Sequence, residues 1–172
     1  MAEIWDILDT EGNKTGRFHE RGKLMKAGEY HLIVSVWIMN IKGEFLVSKR
    51  HKNIGQGLKW QATGGCAVAG DDSLTTALKE TQEEIGITLD PKKGQFFSRY
   101  YSPHTNGEGT SIIDIWLFRQ EVDISAIVLC PEETCDAMWA TKEKIRQWIN
   151  YGEFLAGKEA YPYIEEILEW EL

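Results

Sequence analysis

Residues Gly64 to Ile87, reading GGCAVAGDDSLTTALKETQEEIGI, constrain this chain more than any other stretch. Leu74, Ala77, Leu78, Thr81 and Ile85 recur at helical spacing and give one face fit to pack on a sheet. Asp71 or Asp72 is placed to cap the start, and Gly86 to stop the helix. In that register Glu80, Glu83 and Glu84 stand three and four residues apart, so their carboxylates project from neighbouring points on the opposite face. The plain reading is a solvated acidic face, since like charges at this spacing cost roughly a few tenths of a kcal/mol per pair. The sharper reading is a cation-collecting cluster, because Mg²⁺ favours oxygen ligands and commonly uses one or two carboxylates together with substrate phosphates. The helix by itself does not separate the two.

The remainder reads as mixed α and β in a single domain. At 172 residues, 42% hydrophobic and 27% charged, the chain has enough apolar residues for a sizeable core. EIWDILD, the turn TEGNKTG and a second short segment predict an N-terminal hairpin or extended arm over residues 1–29. YHLIVSVWIMN and EFLVSKR are β-branched runs joined as a hairpin, and KNIGQGLKWQATGG is a Gly-rich connection with a short strand near its end. After the helix, GQFFSRYYS and SIIDIWLFRQEV predict strands around an exposed loop, PHTNGEGT. A last strand ends near Ala140. TKEKIRQWINYG, with Thr141 as its cap, and YPYIEEILEWEL predict closing helices, the second within residues 150–172.

Charge and cysteine content exclude several classes of function. A net charge of -8 argues against a polymeric nucleic-acid partner, whose backbone is bound chiefly by Lys and Arg. No run approaches the roughly 20 apolar residues of a membrane span, and the acidic N-terminus is unlike a signal peptide, so a cytoplasmic protein is expected. Cys66, Cys130 and Cys135 are too few for a disulfide framework and lack zinc-site partners, which predicts reduced thiols. An anionic ligand would need local positive charge, for which a divalent cation is the economical source.

Read from Gly65, the chain gives Gly, five residues, Asp71, seven residues and then KETQEEIGI. This resembles the Nudix box: Gly, five residues, Glu, seven residues, then Arg-Glu-aliphatic-any-Glu-Glu-any-Gly-aliphatic. Gly65, Glu80, Glu83, Glu84, Gly86 and Ile87 fall in register. Five fixed Gly and Glu positions arise by chance in such a chain with a probability on the order of 10⁻⁴. Three positions depart: Asp71 for Glu, Lys79 for Arg and Thr81 for an aliphatic residue. A Lys offers one point charge in place of a planar fork, so the loop before the helix is expected to be held less rigidly.

The resemblance covers about residues 30–149 and implies an α+β fold, the Nudix α/β/α sandwich with a mixed β-sheet, here carrying the N-terminal hairpin arm. Carried over by position, it makes Glu83 and Glu84 metal ligands, Glu80 a ligand or the orienter of the attacking water, and the Gly64 carbonyl a further ligand. Glu133, or Glu132, ahead of Trp139 becomes an extra ligand or base. The implied activity is Mg²⁺- or Mn²⁺-dependent hydrolysis of a diphosphate linkage in a nucleoside diphosphate derivative or similar small phosphoanhydride. Arg50 and Lys49, ending a strand that leads to the box, are candidates to meet a phosphate, with a solvated strand end as the equal alternative.

The N-terminal region is also similar to the subgroup that contains isopentenyl diphosphate isomerases. Isomerases of that kind carry a catalytic Cys and a metal-binding His just before the box. Here Thr63-Gly64-Gly65-Cys66 puts Gly64 at the Cys position and Cys66 nearer the His position, which favours a hydrolase over an isomerase. A non-catalytic binding module is the third alternative, disfavoured because all three helix glutamates are present. His19, His31, His51 and His104 show no metal-ligand spacing, and Trp60 reads as core. The arm is placed to extend a sheet or to cover a subunit neighbour, which leaves a homodimer open.

Overall fold

The structure is a computed structural model that describes residues 2–103, 110–155 and 163–171. Its organising element is β3 (Tyr30–Met39), an almost wholly apolar run that buries side chains on both faces. Val34, Val36 and Ile38 point to one side, Trp37 and Met39 to the other, and all five are buried. Along one edge β3 pairs in parallel with β8 (Thr110–Arg119) over its full length, from Tyr30↔Thr110 to Met39↔Arg119.

Its other edge is shared by three strands in succession. β1 (Ile4–Leu8) pairs at Leu8↔Tyr30, β6 (Thr63–Cys66) pairs over Ile33–Val36, and β4 (Phe45–Arg50) pairs at Ile38↔Leu46 and Met39↔Phe45. Beyond these, β2 (Lys14–Glu20) pairs with β1, β5 (Trp60–Gln61) and β9 (Thr134–Ala140) pair with β4, and β7 (Gly94–Pro103) pairs with β8. The result is a mixed nine-stranded sheet among the described residues. The predicted strands are all present, and the Gly-rich connection carries two short strands, β5 and β6, where one was expected.

Helices cover both faces. α1 (Ser73–Ile85) lays Ala77, Thr81 and Ile85 onto the side formed by Val34, Val36, Ile38, Leu46 and Phe118. Thr81 stands where an aliphatic side chain was expected, and it is buried without an unmet polar group because its hydroxyl donates to the Ala77 carbonyl at 2.8 Å. On the other side α2 (Lys142–Tyr151) and α3 (Ile164–Leu168) pack Ile145, Trp148, Ile164 and Ile167 against Trp37, Phe45 and Trp60. Trp60 stacks on Trp148 with centroids 4.8 Å apart, so its packing role stands. Thr141 caps α2 as predicted, accepting from the Lys144 amide at 3.2 Å. The loop around His104 and the start of YPYIEEILEWEL lie outside the described residues.

Candidate active site

The entry to α1 is fixed by two neighbouring aspartates with different tasks. Asp72 is the N-cap, accepting from the Thr75 amide at 2.7 Å. Asp71 faces back along the helix and receives Lys79 Nζ on both carboxylate oxygens, at 2.7 and 2.9 Å. The loop has a second tether from the arm, for Lys14 Nζ donates to the Asp71 carbonyl at 3.0 Å. The exit is Gly86 at φ 71°, a left-handed C-cap whose amide donates to the Gln82 carbonyl.

With both ends set, the glutamates point into a cavity of about 420 Å³. It is lined by Glu80, Glu83 and Glu84 from α1, Gly64, Gly65 and Cys66 from β6, and Arg50 at the end of β4. Glu133 comes from the turn before β9, Ile54 and Gly55 from the loop between β4 and β5, and Glu3 and Arg21 from the N-terminal arm. Every residue expected at the site except Lys49 is therefore brought to one place. Glu132, the alternative to Glu133, is not part of the lining.

Lys49 is separated from Arg50 by strand alternation. Its ammonium lies 5.3 Å from the centroid of the Trp60 ring, while Arg50 enters the cavity beside a bulge in the β4–β9 pairing. Arg50 is held there by two donated hydrogen bonds, Nε to the Gly55 carbonyl at 2.9 Å and Nη1 to Gln61 Oε1 at 2.8 Å.

Glu84 is not on a solvated face: it is 5% exposed. Gln61 Nε2 and the Gly64 amide each approach its carboxylate at 3.4 Å, while the Thr134 hydroxyl and the Cys130 amide donate to its backbone carbonyl. Burial first, then the charge of Glu80, push the Glu84 carboxyl up to about 8. Burial and the charges of Glu83 and Glu133 push Glu80 up to about 7. Among the described residues, five glutamates and two arginines line the cavity.

The donor set suits a hard divalent cation, being all carboxylate and backbone oxygen, with like charges close enough to raise one another's proton affinity. Among the described residues no three His, Cys, Asp or Glu side chains stand as a ready-made metal shell. One or two carboxylates with phosphate oxygens and water are enough for Mg²⁺, so this is compatible with binding alongside a substrate. His31 is buried against Trp5, and His51 lies outside the lining, hydrogen-bonded through its ring to the Asn53 amide.

Glu3 and Arg21 were not singled out from sequence. Nothing in AEIWDILD or HERG marks them as site residues. They reach the cavity because β1 joins the same edge of β3 as β6 does.

A mixed sheet between helical layers, with a glycine-bounded helix directing carboxylates into an acidic cavity, is the arrangement of an α/β/α sandwich built around a candidate cation site. The chain belongs to the NUDIX domain family, whose model matches residues 29–160, and is a Nudix-type pyrophosphohydrolase. It is 35% identical over 155 residues to an uncharacterized Nudix hydrolase of Listeria monocytogenes, covering 89% of this chain and 88% of that one. Among solved structures it resembles DR0079 from Deinococcus radiodurans with a TM-score of 0.75 and 16% identity, over 96% of this chain and 99% of that one. It also resembles a MutT protein from Methanosarcina mazei with a TM-score of 0.65 and 24% identity, over 84% and 96%. The isopentenyl-diphosphate Delta-isomerase of Citrobacter koseri is a more distant relative, 24% identical over 84% of this chain and 80% of that one. No helix among the described residues is long and apolar enough to cross a membrane.

Proposed function

We propose that the protein hydrolyses a diphosphate linkage in a nucleoside diphosphate derivative or a similar small phosphoanhydride, with Mg²⁺ or Mn²⁺. The observation that carries this is the convergence of Glu80, Glu83, Glu84, Glu133, Gly64 and Arg50 on one cavity from four separate parts of the chain. Glu80, Glu83, Glu84 and the Gly64 carbonyl would hold the metal. When bound, a divalent ion neutralises phosphate charge and makes water a better nucleophile at neutral pH.

The chain's own residues supply the remainder. Arg50, fixed by Gln61 and Gly55, would orient a phosphate oxygen by a charge-assisted hydrogen bond. Glu80 or Glu133 would take the proton of the attacking water as its oxygen bonds to phosphorus and the bridging P–O bond breaks. The coupling of Arg50 to Glu84 through Gln61 keeps the phosphate end and the carboxylate end of the site in register.

Cys66 in the lining is the observation that favours an isomerase. Against it, the position matching the isomerase cysteine is Gly64, where an added Cβ would lie 2.1 Å from the Val34 carbonyl oxygen. A side chain cannot enter there without moving β3 or β6. The substrate is a small molecule, with no role for polymeric nucleic acid or membrane. None of Cys66, Cys130 and Cys135 is in a disulfide, as a reducing cytoplasm would leave them. The arm leaves a homodimer open.

The test is product release from a panel of nucleoside triphosphates, nucleotide sugars, ADP-ribose and prenyl diphosphates, comparing wild type with Glu84→Gln. Turnover with Mg²⁺ that is abolished by chelator and by the substitution is expected. Turnover indifferent to both, or rearrangement of isopentenyl diphosphate without phosphate release, would overturn the reading.

A further inference from the structure

We infer that Arg21 is a phosphate receptor supplied to the active site by the N-terminal arm, and that Glu3 holds it until a diphosphate takes its place. The inference rests on the diphosphatase reading and adds a substrate-binding residue to it.

The arm is a fixed part of the site. β1 is joined to β3 at Leu8↔Tyr30, the Ala69 amide donates to the Ile4 carbonyl at 2.7 Å, and the Gly70 amide donates to Asp6 Oδ2 at 2.8 Å. Lys14 pairs with the same Asp6 at 2.8 Å. Residues at the open end of this hairpin are thereby set beside the helix glutamates, near enough that Glu3 and Arg21 both act on the charge of Glu80.

Within the hairpin, Arg21 is aimed by three contacts. Its amide donates to the Glu3 carbonyl at 2.9 Å, its Nη1 donates to Glu3 Oε2 at 2.9 Å, and its guanidinium lies 6.0 Å from the centroid of the Trp5 ring. Trp5 is itself immobilised, stacked on His31 with centroids 4.2 Å apart and donating its indole N–H to the other Glu3 oxygen. The arginine therefore keeps its place when its carboxylate partner is exchanged.

Charge and donor accounting single out this residue. Among the described residues, five glutamates and two arginines line the cavity, and a diphosphate adds further negative charge. Arg50 already commits Nε and Nη1 to Gly55 and Gln61. Arg21 gives one guanidinium nitrogen to Glu3 and none to any other hydrogen-bond partner among the described residues. The Glu3–Arg21 pair is partly solvated, with side chains 29% and 61% exposed, and pairs of that kind are weak. A phosphate carries more charge than a carboxylate and matches the guanidinium fork, so it displaces Glu3 readily.

A calorimetric titration of methylenediphosphonate with Mg²⁺, a probe that cannot be hydrolysed, distinguishes this from a brace for the arm. Arg21→Gln is expected to weaken binding about tenfold or more, the loss of one charge-assisted contact, and to raise KM more than it lowers kcat. Arg21→Lys should fall between the two. Glu3→Gln should tighten binding by about twofold to fivefold, because it removes the internal competitor. Opposite signs for the two partners of one ion pair are the signature. Equal weakening by Arg21→Gln and Glu3→Gln, or binding unchanged by Arg21→Gln, would overturn the inference. Melting curves on all variants identify any that fail to fold; if Arg21→Gln does, Arg21→Lys and Glu3→Gln decide the matter by the same signs. Wild-type protein that binds no diphosphonate would instead remove the diphosphatase reading, and this inference with it.

Discussion

The Glu80 carboxylate occupies the space that a side chain on Gly65 would fill: a Cβ there would lie 2.3 Å from the carboxyl carbon. Glycine at the start of the box is thus part of the geometry that lets a charged side chain fold back against β6. Gly65→Ala should displace Glu80, whose flexible side chain can swing away, and lower kcat at least about tenfold with little change in melting temperature. Gly64→Ala meets the backbone of Val34 instead, so it should destabilise the fold by about 2 kcal/mol or more by urea titration. Equal effects of the two substitutions on stability would contradict this division.

Glu84 is buried, and its carboxyl is raised to about 8, with Glu80 raised to about 7, both from 4.5. Between pH 4.5 and these values the folded protein holds protons that the unfolded chain releases. The stability associated with the two protonated carboxyls is therefore fully present below about pH 4.5 and is lost progressively as pH rises from there through about 7 to 8. In chelator the melting temperature should fall across that window. Mg²⁺ should restore it most at the alkaline end, where cation and proton no longer compete. A chelated protein whose melting temperature rises across the window would contradict the assignment.

Glu84→Gln replaces the same buried carboxylate by a neutral group of equal size. We expect turnover to drop by on the order of 10² or more, together with a higher melting temperature than wild type at alkaline pH without metal. Gain of stability with loss of function separates a functional carboxylate from a structural one. Loss of both would assign Glu84 to the scaffold.

Asp71 and Lys79 stand in for the Glu and Arg of the family pattern, and they meet through both carboxylate oxygens. Lys79 is about half exposed, so Lys79→Ala should cost no more than about 1 kcal/mol. The expected flexibility of the loop is offset in part by the Lys14 tether. Lys14→Ala combined with Lys79→Ala should slow turnover more than the product of the single effects, measured as a double-mutant cycle.

Asp114 on β8 is 1% exposed and receives Arg99 Nε and Nη2 at 2.6 and 2.9 Å. Arg99→Ala would leave that carboxylate buried without its partner. We expect a loss of about 2–3 kcal/mol, below the full range for a buried pair because Arg99 is a third exposed. Urea unfolding at neutral pH measures it, and a loss under about 0.5 kcal/mol would show the pair to be dispensable.

What the sequence determined was local. The helix from Ser73 to Ile85, a cap at Asp71 or Asp72, the Gly86 stop and the placing of Glu80, Glu83 and Glu84 follow from a 3.6-residue period and from cap chemistry within one turn of each end, and the structure selects Asp72. Strands as long as β3 and β8 were legible in their β-branched runs, Arg50 and Lys49 as the end of a strand leading to the box, and Glu133 or Glu132 through the family resemblance, by its place ahead of Trp139. The tertiary structure decided what depends on which strands share an edge. It put Glu84 in the interior, turned Lys49 onto Trp60 while Arg50 entered the cavity, and brought Glu133 rather than Glu132 to the lining. It also brought Glu3 and Arg21, far from the box in sequence, to the same cavity. Strand pairing is a non-local choice made by burial of whole faces, so no short stretch of sequence carries it. The residues that only pairing brings together are therefore the ones a linear reading passes over.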